Sequence, residues 1–184
     1  APEWGSDLSA TLDGIEYDWL FSIANLRMLP ETVWKKARKG AVNFHDGPLP
    51  RFAGLNTPSW AILEGAATHG VTWHAITAGA DEGDIYAQAL FDITPDETGF
   101  TLNSRCFEAG IATFAEVIDQ IGTGNLVPRR QDLSQRTYYG RDRRPAAAGT
   151  LRFNRPAEEL SQLWRALDFG PGYANRLVAP RSEE

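Results

Sequence analysis

The chain has little sulfur and few histidines: one cysteine, one methionine and three histidines among 184 residues. With Cys106 alone no internal disulfide can close, and a metal site would have to be built from three histidines and the carboxylates. Cys106 itself sits in an apolar helical pattern, which suits packing better than nucleophilic catalysis. No run approaches the roughly 18 apolar residues of a membrane-spanning helix, and no basic segment followed by an apolar one opens the sequence. A cytoplasmic, reducing location and no membrane partner are therefore expected. A surplus of positive charge is also missing. The formal charge is -6, which excludes a surface built to neutralise nucleic-acid phosphates nonspecifically. One basic stretch stands apart, with Arg136, Arg141, Arg143 and Arg144 around Tyr138 and Tyr139. It reads either as a solvated linker or as a contact for a phosphate or carboxylate.

What the sequence does contain is an alternation of short apolar strands and helical patterns. Residues 18–24 form a continuous apolar run of the kind found in a buried parallel strand. Pro30 then introduces a helix with Val33, Trp34 and Ala37 on one side and Lys35, Lys36, Arg38 and Lys39 toward its C-terminus. A strand over 41–44 follows, and Pro58 opens a short helix through Trp60, Ala61 and Ile62. Residues 71–75 and 85–93 predict an antiparallel hairpin around a glycine-bearing acidic loop. Over 99–121, Phe107, Ile111, Phe114, Ile118 and Ile121 recur at steps of four and three, predicting a helix that lays this face on a sheet. Near the C-terminus the pattern predicts a strand at 151–153, Asn154 as an N-cap, and a helix over 156–167 with Leu160, Leu163, Trp164 and Leu167 on one side.

The expected class is α/β with a Rossmann-like sheet. Its expected organisation is a catalytic domain over 1–125, a linker over 126–150, and a small C-terminal subdomain, or the start of a second domain, over 151–184. Only a short helical segment at 6–12 precedes the first strand. A doubly wound sheet ordinarily begins with a strand, a glycine-rich turn and a helix, so the N-terminal strands of the fold read as missing. The exposed edge should then be covered by the remainder of a larger polypeptide or by a second subunit.

Three polar side chains stand where strands should end. Asn43 and His45 are two residues apart, so in an extended segment they lie on the same side. Asp81 belongs to the acidic loop of the hairpin, and turns at Gly47, Pro48 and Pro50 follow the histidine. Acyl transfer onto an amine needs an oxyanion donor, a proton carrier and a neutral nucleophile. Asn43 can aim its amide at the oxyanion, and His45 can stabilise it as imidazolium or shuttle a proton. Asp81 can orient the imidazole, favour its charged form and accept a proton through water. Taken singly, Asn43 is also a turn-capping residue, His45 a structural histidine and Asp81 a solvated acid. His74, mid-strand beside Thr72 and Trp73, competes as a base but reads as a buried supporting residue, with Thr72 beside it. A metal set of His45, His74 and an acid lacks compact ligand spacing, so no metal is expected.

In order along the chain, the segments 43–45, 48–54, 58–62, 70–74 and 80–85 closely resemble the 10-formyltetrahydrofolate-dependent formyltransferases. That family includes enzymes acting on methionyl-tRNA, glycinamide ribonucleotide, amino sugars and nonribosomal peptide precursors. The resemblance is good over 15–122 and continues more weakly through 137–138 and 153–160, which resemble the linker and first C-terminal helix of methionyl-tRNA formyltransferases. It implies Asn43, His45 and Asp81 as catalytic residues and 10-formyltetrahydrofolate as formyl donor. It implies a pterin site at the 23–30 loop, with Ile23, Leu26, Arg27, Met28 and Leu29, closed from the other side by Gly79, Ala80 and Asp84. Two features depart from the family: the opening strand with its glycine-bearing turn and the completing C-terminal barrel are absent, and Asp46-Gly47-Pro48 replaces the more usual Pro-Ser-Leu after the histidine. The expected reaction is formyl transfer to a primary amine of an aminoacyl or amino-sugar acceptor, which a carrier protein or tRNA could bear. The segment 167–173 suggests a module of a biosynthetic assembly enzyme. The alternatives are a formyltetrahydrofolate hydrolase and a noncatalytic folate-binding or scaffolding domain.

Overall fold

The computed structural model describes residues 8–178. Its centre is a four-stranded mixed sheet in the order β1 (Trp19–Ser22), β2 (Gly40–His45), β4 (Thr68–Ala75), β5 (Ile85–Asp92). β1 runs parallel to β2, whereas β2–β4 and β4–β5 pair antiparallel. The fold class is thus α/β, as the alternation implied. The register sets Asn43 opposite His74 and His45 opposite Thr72, so β2 and β4 present their polar residues at the same end. A second, two-stranded parallel sheet joins β3 (Ala53–Gly54) to β6 (Tyr138–Tyr139). Gly54 is required there. Its φ is +104°, and a Cβ would stand 2.2 Å from the Tyr139 carbonyl oxygen.

Several elements differ in extent from the sequence pattern. β1 stops at Ser22 because Ala24 takes a left-handed φ of 52° and turns the chain away, leaving Ile23 half exposed. The helix after Pro30, α2 (Glu31–Trp34), is one turn long. Its continuation is pulled into the sheet instead, because Arg38 N–H bonds the Tyr17 carbonyl and Lys39 N–H the Asp18 carbonyl, while both side chains pair with Asp18. Of the N-terminal segment, α1 (Leu8–Thr11) is helical, and Ser6 and Asp7 lie outside the described residues. The stretch predicted as a strand at 151–153 forms none, and Phe153 is exposed. Pro156, rather than Asn154, stands at the N-cap of α5 (Ala157–Leu167).

α4 (Gly99–Thr123) crosses the sheet, started by a capping box between Thr98 and Thr101 and stopped by Gly124 in the left-handed region. Its buried face is not the predicted one. Cys106, Gly110, Thr113 and Val117 face the sheet and Leu102 packs with Phe52 and Trp60, whereas Phe107, Ile111 and Ile118 are 42%, 75% and 42% exposed. Of the predicted stripe, Phe114 and Ile121 pack on the core, Phe114 edge-on to Phe21 of β1, and Phe107 meets the Phe44 ring at a centroid distance of 6.0 Å while staying half exposed. The small residues allow close approach: a Cβ on Gly110 would stand 2.5 Å from the Phe44 ring, and Thr113 accepts the Trp73 indole N–H at 2.9 Å.

A second cluster joins Phe52 and Tyr139, stacked on each other, with Trp60 and Ile62 of α3 (Thr57–Leu63), Leu102, Ala166 of α5, and Leu177. The stretch 126–150 and the C-terminal helix therefore close over the β3–β6 pair and α3. Among the described residues no helix is long and apolar enough to cross a membrane.

Candidate functional site

A cleft of about 530 Å³ opens where β2 and β4 end against the 24–29 and 77–81 loops. The strand period brings Asn43 and His45 to it from β2, and the pairing partner His74 joins them from β4. Asp81 arrives from the hairpin loop in a left-handed conformation, φ 56°. Phe52, Ala24 and Asn56 share that unusual region, at φ 56°, 52° and 57°. Non-glycine residues held there are strained, by on the order of 1–3 kcal/mol each. All four border the cleft or hold a residue that does.

His45 is buried, and its Nε2–H donates to the Phe52 carbonyl at 2.7 Å, so the Nδ1 edge is left facing the cleft. Asp81 Oδ2 lies 3.7 Å from that nitrogen, and Asp46 Oδ1 lies 3.9 Å away. Asp81 also accepts the Gly54 N–H at 2.8 Å through Oδ2 and has His74 Nε2 3.4 Å from Oδ1. His74 in turn donates from Nδ1 to the Ala75 carbonyl at 2.8 Å and meets Asn43 Nδ2 at 3.2 Å through Nε2. Asn43, His74, Asp81 and His45 therefore form one connected polar chain. Burial works to raise the pKa of Asp81, but the His45 charge, His74 and the Gly54 N–H outweigh it and hold the carboxyl well below the usual range. Asp81 is thus a fixed negative charge between two imidazoles.

The turn after His45 is shaped around this arrangement. A Cβ on Gly47 would stand 2.7 Å from both His45 Nε2 and the Phe52 oxygen, the two atoms of the hydrogen bond that orients the ring. Thr72 lies beneath the turn, donating to the Gly47 carbonyl at 2.7 Å and accepting the Leu49 N–H at 3.1 Å. Cys106 is fully buried and its thiol is pushed far up, chiefly by burial, which suits packing.

Of the residues assigned from the sequence, Leu26, Arg27, Met28 and Leu29 line the cleft on one side and Gly79 and Ala80 on the other. Ile23, Asp84 and Thr72 do not line it. Ile23 points away beyond the end of β1, Asp84 serves the hairpin by accepting the Ala75 N–H through its carbonyl, and Thr72 supports the turn from below. The sequence reading did not assign Asp46, Phe107, Phe169 or Tyr173, and named Tyr138 and Arg141 only as a solvated linker or a contact for a phosphate or carboxylate; all six border the cleft. The cluster of arginines around Tyr138 was its only signal for this far wall. Tyr139, beside them, is buried with its hydroxyl on Glu64, while Arg143 stacks on Tyr139 and Trp60. Among the described residues no three His, Cys, Asp or Glu side chains are arranged to hold a metal ion.

Solved structures share this architecture. An N-formyltransferase from Helicobacter canadensis, in complex with folinic acid and dTDP-3-aminofucose, is 26% identical, with a TM-score of 0.69 over 79% of this chain and 53% of that one. A 4-N formyltransferase from Francisella tularensis is 21% identical, with a TM-score of 0.76 over 91% and 67% of the two chains. HypX from Aquifex aeolicus, in complex with tetrahydrofolic acid, is 21% identical, with a TM-score of 0.70 over 84% and 26%. The latter two speak for the fold alone, and this chain spans about half the length of the Helicobacter protein. The family model described as formyl transferase matches residues 3–118, which contain Asn43, His45 and Asp81 together with the strands that present them, and the chain belongs to that family.

Proposed function

We propose that this protein transfers the formyl group of 10-formyltetrahydrofolate to a primary amine. The observation that carries this reading is the convergence of the Asn43 amide, the His45 imidazole and the ionised Asp81 on one cleft. In this reading Asn43 and His45 face the oxyanion of the tetrahedral intermediate, the preorganised arrangement that acyl transfer needs. Asp81 supplies the opposing charge, and His74 Nε2, between Asn43 and Asp81, meets Asn43 Nδ2 as an acceptor when neutral or Asp81 Oδ1 as a donor when protonated. No metal enters the scheme.

The cleft fits a folate-sized donor. Its volume lies inside the roughly 300–1,000 Å³ range of small-molecule sites, and Leu26 and Met28 offer apolar surface, each more than half exposed, opposite Gly79 and Ala80. The folinic acid held by the Helicobacter protein supports the same donor class. We assign the acceptor to the opposite wall, where Tyr138, Arg141, Phe169 and Tyr173 present aromatic surface and a guanidinium. An amino-sugar acceptor has support from the dTDP-3-aminofucose of the Helicobacter protein, and an aminoacyl group borne by a carrier protein or tRNA is the competing class. We further read the outer edge of β1 as a pairing surface for another segment of a longer polypeptide or for a second subunit. Among the described residues no strand pairs with it.

The test is donor turnover by the full-length protein with dTDP-linked amino sugars and aminoacyl acceptors, scored by the formylated product. Formylated amine is expected. Release of formate at the same rate with and without amine would make the protein a hydrolase, and folate binding without turnover would make it a noncatalytic domain.

A further inference from the structure

Two carboxylates, not one, face the Nδ1 edge of His45. Asp81 Oδ2 and Asp46 Oδ1 lie 3.7 and 3.9 Å from the same nitrogen, and both side chains border the cleft. Their environments differ in kind. Asp81 is held ionised by two imidazoles and a backbone N–H. Asp46 has only its own backbone N–H and Thr57 as donors on its carboxyl. Desolvation raises its pKa, moderated by a side chain that stays 31% exposed, and the His45 charge, its own backbone N–H and Thr57 partly offset that, while the nearby charge of Asp81 raises it further. Two acids driven apart in this way take different parts in proton chemistry, one staying charged and the other exchanging a proton.

The position of Asp46 is also anchored. Its carbonyl accepts hydrogen bonds from Thr57 Oγ1 of α3, from His69 Nε2 of β4 at 2.9 Å, and from Cys106 Sγ of α4 at 3.9 Å. Three elements thus pin one backbone oxygen. A solvated acid after a strand end needs no such support, whereas a carboxylate that must stay beside His45 does. The groups facing Asp46 are therefore His45 and Asp81 at the cleft, and His69 and Cys106 from behind.

We propose that Asp46 is the proton acceptor for the attacking amine, acting beside His45, with Asp81 as the fixed charge and Thr57, His69 and Cys106 as positioning residues. This rests on the transferase reading above. The amine nitrogen bonds to the formyl carbon, and the carbonyl electron pair moves to oxygen. The nitrogen, now positively charged, yields one proton to a carboxylate oxygen of Asp46. As the oxyanion re-forms the carbonyl, the bond from the formyl carbon to the donor nitrogen breaks. That nitrogen takes the proton from Asp46, directly or through His45 Nδ1, and Asp46 returns to its starting state.

The experiment uses the full-length protein and its Asp46→Asn variant with 10-formyltetrahydrofolate and two small acceptors, methylamine and hydroxylamine. Both are minimal primary amines, and in each the attacking nitrogen becomes positively charged once it has bonded to the formyl carbon. Loss of the proton acceptor should lower transfer to both at least about 100-fold, the scale of a general base. A retained rate with either amine would overturn the role while leaving the transferase reading intact. A wild type that formylates neither these amines nor the dTDP-linked amino sugars and aminoacyl acceptors overturns that reading and this role together. Thermal melting gives a second readout that needs no acceptor. A carboxyl whose folded pKa is raised loses stabilising effect as pH rises through that value, so Asp46→Asn should melt above the wild type at pH 7, with the difference closing toward pH 4. A variant that melts below the wild type at pH 7 would show Asp46 to be a stabilising ion-pair partner and overturn the proposal.

Discussion

His45 owes its orientation to one hydrogen bond, from Nε2–H to the Phe52 carbonyl, and Gly47 leaves the space that bond occupies. Gly47→Ala should therefore lower turnover sharply and cost about 1–3 kcal/mol of stability, since the inserted methyl forces either the ring or the backbone to move. Urea unfolding together with a transfer assay would check both effects, and a variant with wild-type values in each would show that the ring is held by something else. Truncating the reacting groups is a cleaner probe. Asn43→Ala or His45→Ala should each reduce turnover by roughly two to three orders of magnitude, the scale of a lost oxyanion donor, with folate affinity changing little. Near-normal transfer by His45→Ala would remove the proposed site. His69 supplies a pH signature. Burial pushes its pKa down from 6.5 to about 4. Between those values the unfolded chain takes up a proton that the folded one does not, so stability falls as pH drops through the window, by on the order of 3 kcal/mol. His69→Gln should flatten the unfolding free energy between pH 6.5 and 4 relative to wild type, and an unchanged slope would mean that His69 is not buried neutral. Asp81 acts further into acid: its contribution is present above the ordinary carboxyl value of 3.8 and is lost as pH falls below it.

At the scale of elements, α4 shows how a helix selects its face. Reading apolar residues alone selects 107, 111, 114, 118 and 121, yet the sheet beneath carries Phe44 and Trp73, whose rings already fill the interlayer space. A helix meeting bulky rings packs closest through small residues, and Cys106, Gly110 and Thr113 supply them. The larger Phe107 is thereby turned toward the cleft, which it helps to line, while Ile111 and Ile118 are left on the exposed side. Two substitutions separate these faces. Leu102→Ala, at a fully buried position, should cost about 2–5 kcal/mol, whereas Ile111→Ser, at a residue 75% exposed, should stay within about 0.5 kcal/mol. Chemical denaturation of the two variants decides the matter, and a large loss at Ile111 would mean that this face is covered in the protein as it exists.

For the molecule as a whole, the cleft joins segments far apart in the sequence: 24–29, 43–46 and 79–81 on one part of its wall, and Tyr138, Arg141, Phe169 and Tyr173 on the other. A reduced-folate ligand should slow amide hydrogen exchange in 26–29 and 79–81. Through the shared cleft it should also slow exchange in 138–141 and 169–173, more than in 150–160. Protection that leaves 26–29 untouched would move the donor site elsewhere.

The short-range chemistry was already legible in the sequence. A strand repeats every two residues, so Asn43 and His45 had to share a side, and the apolar run and turn residues around them fixed where that strand would end. The motifs from 43 to 85 also carried the family, because their order is a property of the chain itself. What required tertiary structure was everything set by approach distance. The phase of α4 depended on the rings it met. The absence of Ile23, Asp84 and Thr72 from the cleft depended on a left-handed turn, a hairpin bond and a buried hydroxyl. The pairing of β6 with β3 brought the 138–141 segment to a site more than 50 residues upstream of it. The second carboxylate beside His45 belongs to the same class, because Asp46 is placed by hydrogen bonds from Thr57, His69 and Cys106, and no local pattern announces that three distant residues will meet at one carbonyl.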